Sequence, residues 1–174
     1  MSAALSGRVD GGLQFDGTGE SLSSVMRAMT GEGNIALSDL RIAGLSPGVY
    51  PAAAGLDDVL NTDADALETL VSLALGQGAF TASEARGAFS IAGGTVRLAN
   101  AIIEGAGARL AGSLNLALQS LGLDGSFVMT PLGFTDPGGL IEPDAARILA
   151  RIGGTLMAPR VRIDVSEMVA GMLV

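Results

Sequence analysis

The feature that most constrains this chain is a period of two in its apolar residues. It is strictest in GARLAGSLNLALQSLGLDGSFVMT, residues 107–130, where Leu110, Leu114, Leu116 and Leu118 are followed by Leu121, Leu123, Phe127 and Met129. Small or polar residues fill most of the gaps. Such alternation turns every second side chain to the same face of an extended strand. The same pattern places strands at 85–92 (Phe89, Ile91), 95–104 (Val96, Leu98, then Ile102 or Ile103), 107–118 and 121–130. Gly93–Gly94 between two alternating runs marks a hairpin, because primed turns need positive φ at both central residues. Connections this short leave neighbouring strands no choice but to run antiparallel. The expectation for 80–130 is a four-stranded meander with one oily face.

The flanks read differently. Residues 5–15 alternate Leu5, Gly7, Val9, Gly11, Leu13 and Phe15 against Ser6, Arg8, Asp10, Gly12 and Gln14, which predicts a half-buried strand. From Ser21 the spacing becomes Leu22, Val25, Met26, Met29, one face of a short helix, with Gly31 and Gly33 expected to stop it. A strand through Ile35 and Leu37 follows. Leu40 and Ile42 continue in the opposite phase, so a bulge or turn belongs near Asp39. Residues 44–61, punctuated by Pro47, Gly48, Pro51 and Gly55, read as irregular. NTDADALETLVSLALGQG reads as a helix capped by Thr62 or Asp63, with Leu67, Leu70, Val71 and Leu75 as its buried stripe. A further short helix is expected over 143–152, with Pro143 near its start and a stripe of Ala145, Ile148, Leu149 and Ile152. Val161, Ile163 and Val165 form a last strand, Pro159 suits its first residue or a sheet edge, and Ser166 caps a terminal helical turn.

Composition excludes more chemistry than it offers. The chain of 174 residues has no His, no Cys and no Lys, since all ten basic residues are arginines. Thiolate nucleophiles, Ser-His triads, imidazole or thiolate zinc sites, Schiff bases and the P-loop lysine are therefore ruled out. A net charge of −8 argues against nucleic acid and anionic membrane surfaces, which need clustered cations. Apolar runs are too short to cross a bilayer, which takes about 20 apolar residues. The start, MSAALSGRVD, lacks the basic and apolar regions of a signal peptide, so the chain is either cytosolic or a piece of a longer protein.

Two site-like motifs reduce to ordinary structure. GEGNIA, residues 31–36, fits a loose dinucleotide pattern, but a helix precedes it and a strand follows, the reverse of what pyrophosphate binding requires. The acids Asp57, Asp58, Asp63, Asp65 and Glu68 lack the ligand rhythm of a calcium loop and read as helix-start residues. No catalytic residue, cofactor or metal is expected. What remains is the oily face. It is either a core roofed by the helices at 21–29, 62–76 and 143–152, or a surface part of which stays open. Small aliphatics with few aromatics suit acyl chains, and Phe89, Leu98, Leu114, Leu116, Phe127 and Met129 are the candidate lipid contacts.

Three stretches resemble the C-terminal region of the AsmA family of Gram-negative envelope proteins (AsmA/TamB-like). They are LSGRVDGGLQFDGTGESLSSVMRAMTGEGNIALSDLRIAGLS (5–46), GAFSIAGGTVRLANAIIEGAGARLAGSLNLALQSLGLDGSF (87–127) and GTLMAPRVRIDVSEMV (154–169). The order of strand, glycine-broken link, short amphipathic helix, G-x-G-x-I-x-L, polar turn and I-x-G-L carries the likeness. So does the closing Gly-Thr, proline and alternating strand. The resemblance implies a fragment of a longer protein, anchored by an N-terminal helix in the inner membrane, whose β-rich body lies in the periplasm. It further implies phospholipid handling or transport and a part in outer-membrane biogenesis.

The combined expectation is a mainly β (β-rich α+β) fold: a curved antiparallel meander sheet with two to four short helices packed on one face. It forms a single domain over 1–174, divisible into a strand–helix part (1–76) and a β-meander part (77–174). Its function is expected to be non-enzymatic, with phospholipid acyl chains as partner. The alternative is a protein-interaction or structural module, joining other envelope proteins or its own copies through an exposed β edge.

Overall fold

The computed structural model describes residues 5–56, 61–139, 142 and 144–173. Eight strands form one curled antiparallel half-barrel, and four short helices accompany them. The strands are β1 (Leu5–Asp16), β2 (Thr30–Ala43), β3 (Ala79–Ala92), β4 (Thr95–Glu104), β5 (Ala108–Ala117), β6 (Leu123–Pro131), β7 (Ile148–Thr155) and β8 (Ala158–Asp164). Their order in the sheet is their order in the chain. The four-strand meander read from the sequence is thus the centre of a longer one. Gly93 and Gly94 turn the β3–β4 hairpin with φ of 57° and 75°, as a primed turn demands.

The change of phase at Asp39 is a bulge inside a continuous strand. Asp39 has φ 53°, and β1 steps from Ser6↔Arg41 to Arg8↔Ser38, so β2 carries one extra residue. The same device recurs at Asn100, φ 52°, where β4 steps from Leu98↔Leu114 to Ala101↔Gly112. That extra residue settles which isoleucine faces in: Ile103 is buried, while Ile102 is 55% exposed. Bulges bend a strand and sharpen its twist, and here they help to curl the first half of the sheet.

Helix α1 (Leu22–Ala28) starts at a reciprocal capping box in which Ser24 N donates to Ser21 Oγ and Ser21 N to Ser24 Oγ. Gln119 Nε2 donates to Ser23 Oγ at 2.8 Å, and Leu118 N to Gly94 O at 2.8 Å. These bonds tie α1, the β3–β4 hairpin and the β5–β6 turn together at one end of the sheet. The expected glycine stop is displaced. Met29 is the C-cap, and Gly31 and Gly33 lie inside β2, each beside a strand neighbour too close for a side chain.

The other end of the oily face is roofed. Helix α2 (Val49–Ala54) lies in the stretch read as irregular, and buries Val49, Tyr50 and Ala53. Helix α3 (Ala64–Gly76) is capped by Asp63, whose carboxylate accepts from Asp65 N, and buries Leu67, Val71 and Leu75. Leu70 falls off that stripe and is 42% exposed. Helix α4 (Ser166–Met172) buries Met168, Val169 and Met172. Ser166 is its first helical residue rather than its cap. The Asp164 carboxylate accepts from both Ser166 N and Ser166 Oγ, which holds its pKa below the usual range, with Arg151 adding a smaller pull. Under these helices lie Leu40, Phe80, Ala101, Ile103, Leu110, Phe127, Met129 and Ile148 in one core.

In place of the expected helix over 143–152 stand a turn at 144–145 and, from Ile148, the start of β7. Pro143 lies outside the described residues. Ile148, Ala150 and Ile152 pair along β6 as Met129↔Ile148, Phe127↔Ala150 and Gly125↔Ile152. A stripe of Ile148, Leu149 and Ile152 fits a helix face, but Ile148 and Ile152 are also two apart from Ala150, and β-branched residues favour the strand once β6 offers partners.

One buried polar atom stands out in this core. Tyr50 is 1% exposed, and its hydroxyl has no hydrogen-bond partner among the described residues. Burial pushes the phenol pKa well up, so the ring stays neutral; it stacks against Phe134 with centroids 6.5 Å apart. An unpartnered buried hydroxyl costs about 1–3 kcal/mol. Tyr50→Phe is therefore expected to leave stability unchanged or raise it by about 1 kcal/mol in urea unfolding. A clear loss of stability would mean that the hydroxyl is bonded.

Candidate functional site: an apolar strip across the sheet

Register places one apolar row across all eight strands. Leu13 pairs with Gly33, Gly33 with Phe89, Phe89 with Leu98, Leu98 with Leu114, Leu114 with Gly125, Gly125 with Ile152 and Ile152 with Val161. A second row runs Phe15, Gly31, Ile91, Val96, Leu116 and Leu123 beside it. The glycines make room for large neighbours. A Cβ on Gly33 would sit 2.5 Å from the Phe89 ring, so that ring lies across the glycine and smooths the surface.

These rows are covered only in part: Ile91 and Val161 are buried, and Leu98, Leu114 and Ile152 pack against the core. Ile35, Leu37, Phe89, Leu98, Leu114 and Leu116 remain half-buried. On β1 the same face is open: Leu5 is 47% exposed, Val9 60%, Leu13 47% and Phe15 54%. The expectation that β1 is half-buried fails, because β1 is an edge strand that no helix covers, and all twelve of its residues are exposed. Burial of one apolar face is what alternation predicts only where a second layer exists.

The six candidate contacts all face the same way but divide into two groups. Phe89, Leu98, Leu114 and Leu116 lie half-buried in the two rows. Phe127 and Met129 lie under the helices, at 7% and 0% exposure, and belong to the core. A period of two reports the face of a residue, not its distance along the strand from a roof. The edge residues Leu5, Val9, Leu13 and Phe15 complete the strip. Their alternation was visible in the sequence, but their exposure depends on strand order.

The opposite face is polar. Gln14, Glu32, Ser90, Arg97, Asn115 and Asp124 form the matching row there. A shallow concavity of about 800 Å³ lies over Gln14, Glu32, Asn34, Ser90 and Arg97 of this face, with Leu13, Gly33 and Phe89 also in its lining. Its single arginine and single glutamate stand on different strands, Arg97 on β4 and Glu32 on β2. Among the described residues no group of three acidic side chains could hold a metal ion, and Asp57 and Asp58 of the acidic cluster lie outside them. GEGNIA is part of β2, with no helix N-terminus after it. No helix among the described residues is long and apolar enough to cross a membrane.

Fold and strip together define a curled meander half-barrel with a partly roofed, partly open apolar face. No family model, no curated protein and no solved structure matches the chain.

Proposed function

We propose that this chain is a non-enzymatic, AsmA-like module whose open apolar strip shields phospholipid acyl chains in the periplasm, as part of a longer inner-membrane-anchored protein that serves outer-membrane biogenesis. The observation that carries the reading is the stretch that runs from exposed Val9, Leu13 and Phe15 to half-buried Phe89, Leu98 and Leu114. Acyl chains need a continuous smooth apolar surface and no fixed hydrogen bonds. Helices over one end close that surface, so a chain lying on it meets a floor of aliphatic side chains and a wall at α2–α4. Contiguous exposed apolar patches in a folded protein mark interaction sites more often than accidents of packing.

The test is lipid uptake. Gently purified protein is expected to carry phospholipid in native mass spectrometry, and to take up a fluorescent phosphatidylethanolamine from phosphatidylethanolamine/phosphatidylglycerol vesicles. The double variant Phe89→Ser/Leu98→Ser is expected to lose about tenfold or more of that uptake. Two side chains worth about 1–2 kcal/mol of contact each suffice for this. Leu73→Ser, exposed on α3 and away from the strip, is expected to bind as the parent does. Protein that stays lipid-free in both assays, or uptake indifferent to Phe89 and Leu98, overturns the proposal.

A further inference from the structure

We propose that β1 pairs antiparallel with the β1 of a second copy, joining two half-barrels into one sixteen-stranded sheet. This goes beyond lipid shielding and rests on the backbone edge of β1 with Arg8 and Asp10, although Val9 and Leu13 belong to the strip as well. The two edges of the sheet are unlike. β8 has seven residues with Pro159 as its second, so it is short and lacks one amide. β1 has twelve residues, none of them proline, every one exposed. Natural sheets blunt an edge by shortness, proline, bulges or charges such as lysine; β1 is long and has neither proline nor lysine, the extra residue of its bulge lies on β2, and its charges are of both signs. Half of its backbone N–H and C=O groups point away from β2, with no strand among the described residues to receive them.

The side chains suit a second copy, and two registers pair opposite charges: one centred on Gly12, with Arg8 opposite Asp16 and Asp10 opposite Gln14, and one centred on Val9, which alone gives both Arg8 and Asp10 a charged partner and is the register proposed. With Val9 opposite Val9 of the second copy, Leu5 faces Leu13, Gly7 faces Gly11, and Arg8 faces Asp10 twice, by symmetry. Within its own chain Arg8 stands opposite Ser38, and Asp10 opposite Ala36, so neither has a charged partner on β2. Sliding by two residues one way sets Asp10 against Asp10, and the other way sets Arg8 against Arg8. Both registers put like charges in direct opposition. Sliding by one residue puts oily side chains on the polar face. In the favoured register the odd-numbered residues of both copies share one face, so the oily face of one molecule continues into that of the next, with Leu13 of each copy beside Leu5 of the other.

Sedimentation at increasing concentration is expected to show the mass rising from 17.3 kDa to about twice that value. Arg8→Asp and Asp10→Arg, each alone, create like-charge pairs and are expected to weaken association about tenfold. The double swap Arg8→Asp/Asp10→Arg restores the pairs and is expected to restore the dimer. Both positions are exposed, and circular dichroism checks that the variants fold. Because the chain has no cysteine, Val9→Cys is expected to give a covalent dimer on mild oxidation, while Leu73→Cys does not. A monomer at every concentration overturns the proposal, and so does a dimer indifferent to the single charge reversals or not rescued by the swap. Lipid uptake is read at Phe89 and Leu98, so loss of the dimer with uptake intact sinks this inference alone.

Discussion

Phe80→Ala is expected to lower the unfolding free energy by about 3–5 kcal/mol, the cost of removing a fully buried aromatic side chain. Phe80 is 0% exposed and sits on β3 inside the core that α2, α3 and α4 close. Its ring lies over Gly105, where an added Cβ would come within 2.7 Å of two ring carbons. Neither backbone nor helix can relax easily into the space left behind. For a chain of this length the loss corresponds to a fall in Tm of roughly 10 °C. Calorimetry checks it. A change below about 1 kcal/mol, the scale of a surface substitution, would mean that the roofed end is not packed as described. Leu13→Ala makes the contrast: Leu13 is already 47% exposed, and its truncation is expected to cost less than about 1 kcal/mol.

Gly112→Ala is the second large effect, and it acts by overfilling. Gly112 of β5 pairs with Phe127 of β6 on one side and Ala101 of β4 on the other. An added Cβ would collide with the Ser126 carbonyl oxygen and come within 2.7 Å of Phe127 Cα and 2.9 Å of its ring. Two of those three atoms are backbone, so the strand itself has to move. The expected loss is about 3 kcal/mol, at the upper end for one inserted methyl group. Urea unfolding of Gly112→Ala beside Gly12→Ala separates the causes. Gly12 is in an exposed strand with nothing near its missing Cβ, so alanine there is expected to change stability little. Equal effects at the two positions would show that strand propensity, rather than contact with Phe127, governs Gly112.

The two variants also separate the halves of the oily face. Phe80 and Gly112 hold the roofed end, whereas Phe89 and Leu98 line the open strip. Substitutions in the first group are expected to act on folding, and those in the second on lipid uptake. The Arg8/Asp10 swap acts on neither, because both side chains lie on the polar face of an edge strand. This division gives the proposed function and the proposed dimer independent readouts.

Much of the fold was legible in the residues themselves. Alternation marked the strands from 85 to 130, Gly93–Gly94 marked their hairpin, and the broken phase at Asp39 marked a bulge. Ser21 and the 62–76 run marked two helices. These signals are local: each depends on backbone geometry within a few residues, and the sequence encodes that directly. The AsmA resemblance added the lipid reading, which rests on the proposed uptake.

What the sequence by itself determined was which side chains share a face within the strands it marked, above all from 85 to 130. Only the tertiary structure decided which stretch of that face is roofed. It buried Phe127 and Met129, left Phe89, Leu98, Leu114 and Leu116 half open, exposed all of β1, and drew Ile148–Thr155 into a strand rather than a helix. The physical reason is that periodicity fixes direction through bonds between neighbouring residues, while burial depends on where helices distant in sequence come to rest.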